Sequence, residues 1–205
     1  MNNRIRRVLA TLERESQRQK HSRTQIPPGR QMSAITSDTG AFFSILLKSI
    51  RARRALEIGT SSGYSTLWIA DALLSKPRGR PSIVTVEADP AKIKWATANF
   101  KKAGTDSITR IKHGRALEIL RRLERSRNSF DFVLIDADKE NVIEYFDLVL
   151  PMVRKGGIIA TDNMLYPEHF RPIMKKFSTH VKRNPLVQTV TVPIGNGEEI
   201  TMKLG

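Results

Sequence analysis

The chain has 205 residues, 40% hydrophobic and 27% charged, which suits a single globular domain with a core of its own. It has no cysteine, which excludes disulfides, thiolate metal sites and a cysteine nucleophile, and no apolar run approaches the roughly 18 residues of a membrane-spanning helix. Lys and Arg outnumber Asp and Glu by 35 to 20, and the net charge of +15 favours anionic partners, nucleic acid above all, although the basic residues are spread along the chain with few aromatics among them.

The amino terminus lacks the apolar core of a signal peptide, so a cytoplasmic location is expected. Ile5, Val8, Leu9 and Leu12 recur at helical spacing and predict an amphipathic helix over 3–20. The stretch TQIPPGR from Thr24 to Arg30 breaks it, so residues 1–30 are read as a helical extension and linker on one domain spanning 1–205. Ser37 and Asp38 are the expected caps of a second helix whose apolar face is Phe42, Phe43, Leu46, Leu47 and Ile50.

From Arg54 strands and helices alternate. Strands are expected at 55–59, 82–88, 107–112, 130–135 and 156–161, and helices at 64–74, 90–103, 115–124, 140–150 and 168–178. Pro90 suits the first turn of its helix. Two more strands, 186–194 and 198–204, flank the turn Gly195-Asn196-Gly197. Strand–helix alternation implies parallel pairing with right-handed crossovers. The expected fold is therefore α/β: a doubly wound, mostly parallel seven-stranded sheet closed by a C-terminal antiparallel hairpin. In such sheets ligands bind beyond the carboxyl ends of the strands.

The candidate residues gather at those ends. The first strand runs into EIGTSSGYS, where Gly59 and Gly63 let a ligand approach the backbone, while the absent middle glycine of G-x-G-x-x-G disfavours a pyrophosphate. Glu87 ends the second strand 24 residues after Gly63, where an acid in nucleoside-binding sheets accepts hydrogen bonds from ribose hydroxyls. The fourth strand, FDFVLI, discharges into Asp136, Asp138, Lys139 and Glu140, and the fifth into Asp162 and Asn163. The 26 residues from Asp136 to Asp162 hold one crossover helix and one strand, which brings both acids to the same sheet edge on adjacent strands. Asp138 is read as the cap of the helix beginning near Glu140.

Taken in order, LEIGTSSGYST, VEADP, IDADKENV and GGIIATDNML resemble the cation-dependent O-methyltransferases, the S-adenosylmethionine enzymes that include catechol and caffeoyl-coenzyme A methyltransferases. The resemblance covers residues 33–204. It implies a Rossmann-like class I methyltransferase fold and a cofactor site in which Glu57, Gly59, Gly63 and Ser65 line the methionine part. Glu87 would bind the ribose and Ala116 would lie against the adenine, with Asp136 bordering the cofactor. Gly114-Arg115-Ala116 departs from the family's usual Gly-Asp-Ala or Gly-Pro-Ala. The resemblance further implies a divalent cation held by Asp136, Asp162 and Asn163, whose two carboxylates and amide oxygen are hard ligands suited to Mg²⁺ first and to Mn²⁺ or Ca²⁺ after it, with Lys139 as the general base. It leaves the acceptor open between the hydroxyl of a catechol-like small molecule and a hydroxylated tRNA base, and a non-catalytic cofactor-binding protein is the third reading. Met164 and Tyr166, in a short loop after Asn163, are candidates to flank a planar acceptor. A homodimer is expected by the same analogy.

Overall fold

The computed structural model describes residues 1–22, 25–75 and 79–205. Thr24 of the expected linker and the start of the basic stretch at Lys76 lie outside them. Seven strands form one sheet in the order β3-β2-β1-β4-β5-β7-β6. They are β1 (Arg54–Ile58), β2 (Ser82–Glu87), β3 (Thr109–His113), β4 (Phe130–Ile135), β5 (Val153–Thr161), β6 (Val187–Val192) and β7 (Glu198–Lys203). β1 to β5 are parallel, and β7 runs antiparallel to both β5 and β6. The chain order reverses between β1 and β4, and that switch point opens the crevice of a doubly wound sheet.

Seven α-helices cover the two faces: α1 (Asn3–Lys20), α2 (Ser37–Ser49), α3 (Tyr64–Leu74), α4 (Pro90–Ala103), α5 (Ala116–Arg125), α6 (Val142–Val149) and α7 (Arg171–Lys182). Alternation along β4 divides the core. Phe132 and Leu134 face α1 to α4, and Val133 and Ile135 face α5 to α7. On the first face Phe43 meets Phe132 edge-on at 5.7 Å between centroids, and on the second Phe146 meets Phe177 at 5.9 Å. All four rings are essentially inaccessible, so truncating any of them to alanine would cost about 3–5 kcal/mol.

Local signals place the helix ends. Asp89 accepts hydrogen bonds from Ala91 N at 2.7 Å and Lys92 N at 3.4 Å, Pro90 takes the first turn, and Gly104 ends α4 at φ +71°. Thr36 caps α2 through Thr39 N, at 3.2 Å, where Ser37 and Asp38 were expected. The helix starts one residue too early for either of them to occupy the cap. α1 is no loose appendage: Ile5, Val8, Leu9 and Leu12 join the first core cluster. Asn2 N donates to Asp71 Oδ1 at 2.8 Å, and the Tyr64 hydroxyl donates to Glu13 at 2.6 Å, tying α1 to α3. Two elements are longer than the sequence pattern implied, β5 beginning at Val153 and α7 running to Lys182 after a short 3-10 turn at Glu168–Phe170.

Candidate active site

The sheet ladder continues one residue past several strands. Gly59 N donates to Val86 O at 3.0 Å, Gly114 N to Glu87 O at 3.0 Å, Asp136 N to Ile58 O at 2.9 Å and Asp162 N to Ile135 O at 3.1 Å. The loops that carry the candidate residues therefore leave the sheet from fixed points. A cleft of about 590 Å³ opens above them, and Gly59, Glu87, Ala116, Asp136, Lys139 and Asn163 all line it. A second cavity of about 640 Å³ lies between α1, residues 25–30 and α4. It contains none of these residues and no strand end, so the candidate residues gather at the first.

Gly59 is fixed by its surroundings: at φ +101° a Cβ would overlap the carbonyl oxygen of Asp136, so only glycine lets the loop after β1 touch the loop after β4. Gly63 begins α3 at φ +83° and has Phe100 of α4 where a Cβ would go, so it shapes the turn and does not line the cleft. Glu87 has both carboxylate oxygens anchored by backbone: Ser61 N donates to one at 2.8 Å, and Ala88 N and Asp89 N donate to the other at 2.9 and 3.0 Å. Oε2, with a single donor, keeps acceptor capacity for a ligand in the cleft, whereas Oε1 already accepts two.

Glu57 and Ser65 lie one layer deeper. Glu57 is fully buried and accepts the hydroxyls of Ser65 at 2.5 Å, Thr66 at 2.5 Å and Thr85 at 2.6 Å. Burial pushes its carboxyl up to about 7, against the pull of the three hydroxyls. The arrangement braces β1, α3 and β2 beneath the glycine turn, and neither side chain opens on the cleft.

The other half of the cleft is charged. Lys139 is buried, with Nζ 3.5 Å from Asp136 Oδ1. Asn163 sits in the left-handed region at φ +69°, which asparagine tolerates better than most residues. Its amide NH₂ donates to Tyr166 O at 3.1 Å, which leaves the amide oxygen as the free donor atom for a cation. Asp162 is buried beneath the cleft floor, and its Oδ1 has no hydrogen-bond partner. Burial, and then the nearby Asp136 carboxylate, push the Asp162 carboxyl up to about 7. Among the described residues no three His, Cys, Asp or Glu side chains enclose a common point. The donor set of two acids and an amide nevertheless fits a hard divalent ion, and the partnerless Asp162 oxygen is the observation that favours one.

Asp138 does not cap a helix. α6 begins at Val142, two residues later than expected, so the carboxylate reaches side chains and accepts from the Tyr145 hydroxyl and Asn141 Nδ2, both at 2.5 Å. Met164 is buried in the second core cluster and Tyr166 is 61% exposed, so neither lines the cleft. Tyr145 and Phe170 supply its aromatic surface instead, and Ser33 and Ser61 contribute polar rim. Sequence reasoning passed over Tyr145 because its place on α6 reads as core spacing. Phe170 sits in the 3-10 turn, where periodicity carries no signal.

Residues 8–204 match the sequence model of the O-methyltransferase family. The chain is 36% identical over 138 residues to a catechol O-methyltransferase of Niastella koreensis, an alignment spanning 67% of this chain and 61% of that protein. It is 38% identical over 132 residues to a catechol O-methyltransferase of Mycobacterium tuberculosis, spanning 64% and 57%. The chain thus covers only about three fifths of the length of these relatives. Among solved structures, the O-methyltransferase TomG from Streptomyces achromogenes, in complex with SAM, superposes with a TM-score of 0.79 at 26% identity, covering 100% of this chain and 91% of that one. With a family match that runs from α1 to β7 and a site assembled at the switch point of the sheet, the chain belongs to the O-methyltransferase family.

Proposed function

We propose that the protein is an S-adenosylmethionine-dependent, divalent-cation-dependent O-methyltransferase acting on a hydroxyl of a catechol-like small molecule. The observation that carries this is the two-sided cleft. Glu87, Gly59 and Ala116 form a backbone-rich half, and Asp136, Lys139 and Asn163 form one of opposed side-chain charges and an amide. The two relatives named as catechol O-methyltransferases and the SAM held in TomG support the same reading.

S-adenosylmethionine would supply an activated methyl group, and a divalent cation at Asp136, Asp162 and Asn163 would lower the pKa of an adjacent hydroxyl. The chain's own part is to position and to move a proton. Glu87, fixed by three backbone N–H groups, accepts ribose hydroxyls with little reorganisation. Lys139 Nζ, held beside Asp136, takes or stabilises the proton leaving the acceptor oxygen. Phe170 and Tyr145 offer ring surface to a planar acceptor. The same reading has the enzyme cytoplasmic and homodimeric, and a monomer mass in solution would contradict the latter.

The test is transfer of labelled methyl with Mg²⁺, comparing a panel of catechols with bulk tRNA, which the charge of +15 keeps as the second arm. Label in a catechol, lost on chelation, is expected. Label in tRNA alone would overturn the acceptor, full turnover after chelation would overturn the cation, and no transfer to either would leave a cofactor-binding protein.

A further inference from the structure

We infer that Glu198, at the start of β7, belongs to the cation site: its buried carboxylate stands against Asp162 and raises the site's affinity for a divalent ion. The inference rests on reading Asp136, Asp162 and Asn163 as the cation ligands.

The placement follows from register. β5 and β7 pair Ile158 with Met202 and so on to Thr161 with Glu199, so one step further Asp162 meets Glu198. The hairpin that presents Glu198 is pinned to the loop after Asn163, where Met164 N donates to Gly197 O at 3.0 Å and Leu165 N to Asn196 O at 2.9 Å. Glu198 is wholly inaccessible, and among the described residues neither of its carboxyl oxygens has a partner at full hydrogen-bond geometry. The Asp162 oxygen left without a donor belongs to the same cluster.

A carboxylate buried without donors costs several kcal/mol, and a strand with both faces covered has no need of one. The next residue shows what a structural buried glutamate looks like on this strand. Glu199 points to the opposite face and is met by the hydroxyls of Ser178 at 3.3 Å, Thr189 at 2.9 Å and Thr191 at 2.5 Å. Glu198 has no such set of three: its polar neighbours are the Thr39 hydroxyl and the Asp162 carboxyl. The cluster sets three carboxylates, Asp136, Asp162 and Glu198, against the ammonium of Lys139. Fully ionised, that leaves two negative charges, the number a divalent ion cancels. Because no three acids enclose one point, Glu198 acts as a positioning residue, through its charge and through Asp162, and not as another ligand.

The test measures Mn²⁺ and Mg²⁺ binding to the full chain by calorimetry and by Mn²⁺ electron paramagnetic resonance. Glu198→Gln keeps the shape, Glu198→Met changes it, and Glu199→Gln is the control on the opposite face. Both Glu198 variants should bind about tenfold more weakly or worse, while the control stays within roughly twofold. Without metal, Glu198→Gln should melt no lower than the wild type, because the amide never has to bury a charge, and added Mg²⁺ should raise its Tm less than the wild type's. Wild-type affinity in Glu198→Gln, or a loss confined to Glu198→Met, would overturn the inference while the cation site stands. Absence of Mn²⁺ binding by the wild type would overturn the cation site itself.

Discussion

The two halves of the cleft satisfy their carboxylates in opposite ways. On the side of β1 and β2, Glu57 accepts three hydroxyls and Glu87 three backbone N–H groups, so both acids are fixed before any ligand arrives. On the side of β4, β5 and β7, Asp162 Oδ1 and both Glu198 oxygens are buried without a partner at full hydrogen-bond geometry among the described residues. Buried polar groups are almost always paired, and a cluster of exceptions at one strand end needs an explanation. On the proposed function this is a division of labour: one half would be a preformed hydrogen-bonding surface for a nucleoside, and the other would be complete only with a cation and an ionising acceptor.

The largest effect expected from breaking that division is in the charged half. Lys139→Met should lower kcat by about 10²–10⁴-fold, the usual contribution of a positioned proton acceptor. Cofactor affinity, measured by calorimetry with S-adenosylhomocysteine, should change little. A drop in affinity with kcat preserved would move Lys139 into the binding half.

On the other side, Glu57 makes a stability prediction with a definite sign. Its folded-state carboxyl is raised to about 7 from an ordinary value of 4.5. Below the ordinary value both states are protonated and nothing is gained or lost. Between the two values the unfolded chain releases the proton that the folded chain keeps, so stability falls as pH rises. The fall attributable to Glu57 approaches about 3 kcal/mol once the pH passes the folded value. Glu57→Gln should flatten that part of the curve, read as the difference between variant and wild type in urea denaturation from pH 4.5 to pH 8. Parallel curves would mean that the hydroxyls hold the carboxylate ionised.

How far the sequence discloses this arrangement depends on the kind of signal. FDFVLI coincides with β4, and Asp89-Pro90 coincides with the start of α4, because β-branched and aromatic runs and capping chemistry are local properties. The start of α6 is not local in that sense. Asp138 looks like a cap in sequence, but it is drawn to Tyr145 seven residues on. Which site residues touch the cleft and which brace it is a matter of depth, and spacing is blind to depth. Glu57 and Gly59 are two residues apart, yet one is buried beneath the turn and the other lines the cleft. Glu198 did carry a signal. In GEEITMKL two successive acids open a strand, and successive residues face opposite sides of a sheet, so at least one acid had to face a covered layer.

A smaller effect tests the backbone-rich half directly. Glu87→Gln retains an acceptor at each backbone contact it can still make but loses the charge, so S-adenosylhomocysteine should bind about tenfold more weakly. Mn²⁺ affinity should be unaffected. If Mn²⁺ binding weakened as well, the two halves would be electrostatically coupled and their separation would be too sharp.

The smallest effect separates bracing from binding at Ser65. Family resemblance makes it a cofactor contact, whereas its hydroxyl is spent on Glu57 at 2.5 Å and the side chain is buried. Ser65→Ala removes one of three donors to a carboxyl that burial already drives toward its neutral form. The cost should therefore be modest, about 1 kcal/mol of stability in urea denaturation. The two assignments diverge in a second measurement. A bracing serine leaves the affinity for S-adenosylhomocysteine unchanged at a temperature where both proteins are folded. A contacting serine loses affinity even there, and that result would require the Ser65 hydroxyl to leave Glu57 when the cofactor arrives. The preformed half of the cleft would then be preformed only in part.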